Sequence, residues 1–565
     1  MNDIIIDVSD LYVKKIKIGK FGMCEIPNGD SENLVREYPA QVFLSTKFKE
    51  YLWVKNRKTF VIEYEGVIRN TWLCKILEFD DLVKITNLKD LKKTEIKDKI
   101  ELIHIIYGRC ENSMRFLDKV YRDYIYKHKF IKNEIVAIKS VAGSGKTTTL
   151  LELSKIHNDK KILYIAFNKS LITEIKEKIK DKKLKNLFPV TFDALAREIF
   201  IRNTEIEYPE IMDLKPQSMP IILDWFKNKP YRIKSYYSKN FSKFCNQTEY
   251  DNIKTFSTSK LGGDKKLLNT LWEKVLKYDL ITFDTIRKLV EMNHWCKDHI
   301  DNTYDMIFID ESQDFDNTML KILLEDTTIP KLFVGDTRQA IYEWKGCINA
   351  FEKLPKSSLI FEFYSTFRVG LPACNEIRDK FDNCNMISKS LNETFIIYDI
   401  VPEEKYVYLF RNWRNLLQTA QNIDNIWIHN YDSQIEYIKK LHNRLQISTL
   451  DEDELNEFSD DLPKFLLKLS KEELEKLIND IEKNLVKKEK CNVELYTIHS
   501  YKGLENDIIR IYNDIDIKNE QNLYYVALTR GKKRIILDTK QPIYENIVDN
   551  KKQSCITNFC IQKKI

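Results

Sequence analysis

Residues 135–156 read IVAIKSVAGSGKTTTLLELSKI, and this stretch decides the fold. The apolar run Ile135 to Ile138 suits a short strand buried on both faces. A glycine-bearing turn follows, Ser140-Val141-Ala142-Gly143-Ser144-Gly145, and Lys146-Thr147-Thr148 then opens a segment with helical spacing of its leucines. A strand, a glycine turn and a helix start together aim backbone N–H groups and a helix dipole at one point, the arrangement that cradles a phosphate. In that pattern the Lys146 ammonium reaches the β- and γ-phosphates and the Thr147 hydroxyl sits on Mg²⁺. Ser140 stands where the pattern has Gly.

Outward from this loop the same texture repeats. ILYIA (162–166), MIFID (306–310), KLFVG (331–335), YVYLF (406–410), VELYTI (493–498) and RIILD (534–538) are apolar strand runs, each followed by a helical segment. Such runs interleaved with helices predict parallel sheets covered on both faces. They fall into two groups, before and after about residue 375, so the chain is expected to hold two α/β domains. Asp310 and Glu311 end the strand MIFID, where a parallel sheet presents them beside the phosphate loop: one to hold Mg²⁺, the other to polarise the attacking water.

Around this core the composition changes. Residues 1–115 read as a separate α+β unit, with alternating strand pattern in TFVIEYEGVI (59–68) and a Lys-rich run at 89–98. Residues 201–285 lack the strand rhythm and predict a helical insertion; residues 446–490 are charged and helical in period, a second and shorter insertion. The expected division is 116–200 with 286–375 for the first domain, 376–445 with 491–545 for the second, and 546–565 as a tail.

Composition excludes several classes. Among 565 residues the net charge is only +6, which rules out a purely electrostatic polybasic binder yet permits a local basic groove. Hydrophobic residues make up 43%, ample for packed cores. Gly 14 and Pro 13 are too few for a fibrous or low-complexity chain. Only 19 of the 91 basic residues are Arg, so each Arg within a motif is informative. Eleven scattered cysteines without a CxxC pair suit a reduced intracellular protein. No run approaches 18 apolar residues and the N-terminus lacks a basic, cleavable leader, so a soluble protein of cytoplasm or nucleus, without membrane, is expected. His294, Cys296 and His299 suggest a metal corner, but tetrahedral zinc needs a fourth ligand and a polar helix end is the plainer reading.

Seven segments in order carry a resemblance. IDESQD (309–314) and VGDTRQAIYEWKG (334–346) are similar to the Walker B and motif III pair of superfamily 1A helicases of the UvrD/Rep type. AFNKS (166–170), VTFDALA (190–196), STFRVG (365–370), TIHSYKGLE (497–505) and NLYYVALTRGKK (522–533) resemble motifs Ia, Ib, IV, V and VI. With Leu271-Trp272 ahead of the Walker B strand, the wording is most like the F-box DNA helicase branch, although residues 1–115 contain no evident F-box. The resemblance implies two RecA-like domains in tandem and an ATP-dependent DNA helicase or translocase, moving 3′→5′, that binds single-stranded DNA and its junctions with duplex. Replication, repair and recombination are the pathways it implies. RNA as the track stays open, and residues 1–115 are where protein partners are expected.

Carried over by position, the resemblance makes Gln339 the γ-phosphate sensor and Arg368 and Arg530 the cations that neutralise the transferring phosphoryl. Phe367 stands for the aromatic that stacks on the base, and Glu505 for the residue that touches the ribose. Phe167, Tyr342 and Trp344 stand where bases stack, with Lys169 and Lys345 beside them for phosphates. The family usually carries a Gln upstream of the loop that reads the adenine edge; residues 101–138 contain none, which leaves nucleotide selectivity open. Two rival readings stand: an ATP-gated nucleic-acid-binding module without processive unwinding, and a helicase–nuclease fusion. Against the fusion, only 35 residues follow Arg530.

Overall fold

The computed structural model describes six strands within the first 72 residues, Asp118, and residues 121–539 apart from 207–210, 212–217, 250–252, 254–264, 278–280, 343–345, 382–383 and 448–461. The six strands form three antiparallel pairs: β1 (Val13–Lys17) with β2 (Met23–Pro27), β3 (Val42–Ser45) with β4 (Glu50–Trp53), and β5 (Thr59–Tyr64) with β6 (Val67–Trp72). The alternating stretch 59–68 thus becomes a hairpin closing at Tyr64 opposite Val67. The Lys-rich run 89–98 lies outside the described residues.

The phosphate-loop strand, β7 (Ile135–Ser140), sits inside a six-stranded sheet with β8 (Ile162–Ala166), β9 (Leu187–Thr191), β10 (Met306–Ile309), β11 (Lys331–Gly335) and β12 (Leu359–Phe363). The order is β12-β7-β11-β10-β8-β9, and every pairing is parallel. Each strand divides its apolar residues between two cores, because successive side chains leave opposite faces. Val136, Ile138, Tyr164, Phe308, Leu332 and Val334 pack on one side. Ala137, Leu163, Ile165, Ile307, Ile309 and Phe333 pack on the other. Strands β9 and β12, at the two edges, are the ones the apolar-run pattern misses. Edge position leaves Phe188 and Ile360 exposed and lets Pro189 and Glu362 stand within them.

A second parallel sheet of the same size follows: β15 (Phe395–Tyr398), β16 (Tyr406–Phe410), β17 (Ile426–Ile428), β18 (Val493–Thr497), β19 (Asn506–Ile511) and β20 (Gly531–Leu537). Its order is β15-β20-β19-β16-β18-β17. A small parallel pair, β13 (Ser365–Thr366) with β14 (Ile387–Ser388), lies between the two sheets in sequence. The architecture is therefore two RecA-like α/β sheets in tandem. One core cluster joins them: Val407, Leu409, Ile509 and Ile535 of the second sheet share it with Ala142 of the phosphate loop and Ile341.

Among the described residues, 201–285 are largely helical, including Tyr231–Cys245 and Lys265–Leu276. Phe241, Phe244 and Trp272 from these helices join the same core as Phe333, so the segment is packed onto the first sheet rather than tethered beside it. Within 446–490, the helices Leu462–Leu467 and Lys471–Asn484 pack on the helices Trp413–Ala420 and Tyr431–Ile447, and Leu466, Ile478 and Ile481 join the core that includes Tyr408 and Val493 of the second sheet. His294 pairs with Asp326 at 2.6 Å, Cys296 is buried, and His299 faces Glu198 at 3.7 Å. Among the described residues no group of three such side chains could hold a metal ion, and no helix is long and apolar enough to cross a membrane.

Phe333 is fully buried on β11, in the core that the first sheet shares with the helical insertion. Phe333→Ala should lower the stability of the first sheet by about 3–5 kcal/mol, the usual cost of such a cavity. Urea unfolding followed by tryptophan fluorescence measures this, and a loss below about 1 kcal/mol would mean that this face of the sheet is not tightly packed.

Candidate functional site

Strand β7 turns sharply at its C-terminal end because two glycines adopt left-handed backbone, Gly143 at φ 70° and Gly145 at φ 79°. Gly145 caps the helix Lys146–Ile156, whose first turn carries no acidic side chain to compete for its N–H groups. Ser140, in the place of the pattern's Gly, donates from Oγ to the Gly335 carbonyl at 3.0 Å and so ties β7 to β11. Val141 N donates to Phe363 O, and Ala142 N to the Tyr525 hydroxyl of the second domain at 3.2 Å. Ser144 Oγ is buried inside the loop with no hydrogen-bond partner. The loop thus ends in a helix N-terminus with a polar atom left over, which is what an anion site requires. Thr148 is exposed at the mouth.

The strand-end carboxylates arrive beside it. Asp310 accepts from Thr147 Oγ1 at 3.1 Å, from the Tyr164 hydroxyl, and from the Glu311 amide. Glu311 takes left-handed backbone, φ 51°, and its Oε1 lies 3.8 Å from Lys146 Nζ. Gln313 donates to Glu311 and accepts from the Asp336 amide, so one side chain sets the spacing of β10 and β11. Burial, and then the charge of Glu311, push the Asp310 carboxyl upward. Burial also acts to raise Glu311, but Lys146, Lys502 and the Gln313 hydrogen bond outweigh it and hold Glu311 well below the usual carboxylate range. A carboxylate kept charged in a buried cleft is suited to orienting a water.

The second sheet closes the cleft. Arg530 is 1% exposed, anchored on its own side by Val526 O, Leu504 O and Thr529 Oγ1, and it donates through Nη2 to Gln339 Oε1 at 3.1 Å. Gln339 in turn donates to Asp336 at 2.8 Å. Burial, with the like charge of Arg368 next, draws Arg530 down to about 9, so it remains a cation at neutral pH. Arg368 and Phe367 lie on the turn that covers Gly143: Phe367 N donates to Gly143 O at 2.9 Å. Arg368 itself binds Glu505 through Nε at 2.6 Å and the Thr529 carbonyl through Nη1. The structure therefore brings Lys146, Asp310, Glu311, Gln339, Arg368, Arg530, Phe367 and Glu505 into one cleft.

Sequence reasoning missed two further cations. Lys502, from the segment that resembles motif V, crosses into the first domain and binds both Asp314 oxygens, at 2.7 and 2.6 Å, and the Gln339 carbonyl at 2.6 Å. Arg122 donates through Nη2 to the Ser144 carbonyl at 2.8 Å. The signal for Lys502 was legible, since Lys in TIHSYKGLE sits on the same segment as Glu505; Arg122 precedes any motif and gives none.

Of the expected strand contacts, Phe167 and Tyr342 stack on one another at 5.5 Å with a 25° tilt. Tyr342 donates to the His499 carbonyl of the second domain, and Lys169 is exposed next to Phe167. Trp344 and Lys345 lie outside the described residues. A cavity of about 950 Å³ continues from Ala340 and Ile341 along the second domain, lined by Arg411, Trp413, His499 and Lys518 among others.

Lys502→Met leaves the buried Asp314 carboxylate without its cation, which should cost about 3–5 kcal/mol of stability. The double variant Lys502→Met/Asp314→Leu should recover much of that loss in the same denaturation assay; an equal or larger loss would mean the pair does not act as one unit.

The family model for the UvrD/REP helicase N-terminal domain matches residues 127–356, which include the phosphate loop, the paired carboxylates and Gln339. F-box DNA helicase 1 of Gallus gallus is 23% identical over 501 residues, 73% of this chain and 48% of that protein. F-box DNA helicase protein 1 of Schizosaccharomyces pombe is 23% identical over 505 residues, 73% of this chain and 56% of that protein. A probable DNA helicase of Mycoplasma pneumoniae is 23% identical over 466 residues, 72% of this chain and 80% of that protein. The chain spans about half the length of the first two. Residues 127–356 thus match the UvrD/REP helicase N-terminal domain, and over nearly three quarters of its length the chain is similar to proteins described as DNA helicases.

Proposed function

We propose that this chain is an ATP-driven motor that moves along single-stranded DNA, 3′→5′, and separates strands or displaces bound proteins at junctions with duplex. One observation carries the reading: the phosphate loop is flanked by both sheets, with Arg530 bonded to Gln339 and Lys502 to Asp314 across the gap. A triphosphate on the loop would meet Lys146 from one side and Arg368 and Arg530 from the other. Thr147 and Asp310, hard oxygen donors already 3.1 Å apart, would hold Mg²⁺. When bound, that ion supplies charge neutralisation on the β- and γ-oxygens. Glu311, ionised and fixed by Gln313, would orient the attacking water, and the two arginines would balance the charge that develops on the transferring group. Arginines in such positions are worth about 10³–10⁵ in rate.

Binding would draw the two sheets together through these shared contacts, and loss of the γ-phosphate would release them. The strand would be gripped next to Gln339. Phe167 and Tyr342 offer a stacked aromatic platform, and the cavity beside it carries Arg411 and Lys518 for phosphates. Trp344, five residues beyond Gln339 in sequence, is proposed to stack on a base and Lys345 to meet a phosphate.

One observation favours a second reading, an ATP-gated module that closes on nucleic acid without processive unwinding. The short insertion lays the apolar faces of its helices, with Leu466, Ile478 and Ile481, into the core of the second domain, where a large accessory subdomain would otherwise project. Strand displacement measured against translocation on bare single strand separates the two.

Lys146→Ala should abolish phosphate release; wild-type turnover would sink the whole reading. Glu311→Gln should keep nucleotide binding and block hydrolysis, because only the water-orienting charge is lost. Trp344→Ala should retain basal hydrolysis and melting temperature while single-strand affinity falls about five- to a hundredfold, the value of one stacking contact. Loss of basal turnover together with thermal stability would make Trp344 a packing residue instead.

A further inference from the structure

In the hydrolase reading above, a nucleotide seated on the phosphate loop would place its base against Phe367, along the wall that continues from Gly145. Phe367 forms that wall: it is 51% exposed, and its ring carbons lie 4.0 Å from where a Cβ on Gly145 would stand. The Arg122 guanidinium is 5.4 Å from the centre of the same ring and 4.0 Å from that of Phe363. Its place is fixed on both sides. Arg122 Nη2 donates to Ser144 O at 2.8 Å, and Nε donates to Asp118 at 3.0 Å. Asp118, fully buried, also accepts from the Tyr364 and Ser365 amides and from Lys389. The guanidinium is therefore part of the loop's own scaffold and stands ready at the base wall before any nucleotide arrives.

The chemistry of that wall is informative. An aromatic ring and a guanidinium plane both recognise the π-face of a base, and every base has one. A guanidinium carries donors only. With Nε and Nη2 held by Asp118 and Ser144, Nη1 is the nitrogen left to meet a base edge, and a donor there suits the acceptor O6 of guanine but not the amino group of adenine, whose donor-and-acceptor edge an amide fits. We infer that this site selects the triphosphate and the face of the base rather than the adenine edge, so that it takes purine nucleoside triphosphates without preferring ATP. The inference rests on the hydrolase reading above and names its substrate class.

Phosphate release from ATP, GTP, CTP and UTP by the full chain, with Mg²⁺ and single-stranded DNA, tests it. GTP is expected within about threefold of ATP in kcat/KM, or better, with the pyrimidine nucleotides lower because a smaller ring stacks less. An ATP preference over GTP beyond about tenfold overturns the inference, since that margin takes edge hydrogen bonds, and it leaves the hydrolase reading standing. No release from any of the four sinks the hydrolase reading itself. Arg122→Gln should shift the ATP to GTP ratio at least about fivefold toward ATP, because an amide fits the adenine edge. That ratio is internal to each preparation, so reduced overall activity does not blur it. An unchanged ratio removes Arg122 from the selection of the base and overturns the argument.

Discussion

The cleft depends on one buried guanidinium. Arg530 has almost no contact with water, and its charge is balanced by groups on two different sheets rather than by one partner of its own. Four cations, Lys146, Arg368, Lys502 and Arg530, converge there with the carboxylates of Asp310, Glu311, Asp314, Asp336 and Glu505. A buried charge is costly unless it is paired and hydrogen-bonded. Here the pairing is shared across a gap, so the energy of keeping Arg530 inside depends on how the sheets sit. Any anion placed between Lys146 and Arg530 alters that balance directly. The site couples charge to domain geometry by construction.

The carboxylates divide their work in the same manner. Asp310 and Glu311 are adjacent in sequence, yet burial and the neighbouring charge push one upward while two lysines hold the other low. The left-handed turn at Glu311 is what separates them: it sends Asp310 toward Thr147 and Glu311 toward Lys146. Backbone strain at a non-glycine residue is tolerated where the surroundings over-determine it, and Gln313 and Lys146 do so here.

Much of this was legible before any coordinates. The central strands β7, β8, β10, β11, β16 and β18 are continuous apolar runs because they are buried on both faces, and that pattern survives in one sequence. The edge strands β9 and β12 were not legible, since half of each meets solvent or a loop and mixes polar residues into the run. The phosphate loop and the carboxylates declared themselves because their residues are adjacent in sequence. Arg122 and Asp118 did not: their roles arise from contacts with Ser144, Tyr364, Ser365 and Lys389, up to 271 positions away, which no local spacing encodes. Arg368, expected as a cation for the transferring phosphoryl, also binds Glu505 and lies on the turn over Gly143, contacts that its motif alone does not encode.

The burial of the helices Leu462–Leu467 and Lys471–Asn484 has a consequence for modularity. Leu466, Ile478 and Ile481 are shared with the second sheet's own strands, so this segment is a structural member of its domain and not an appendage. Excising it would uncover the apolar faces of the helices Trp413–Ala420 and Tyr431–Ile447 on which it packs. The two helices therefore move and unfold with the second domain as part of its core, and not as a separate body hinged to it.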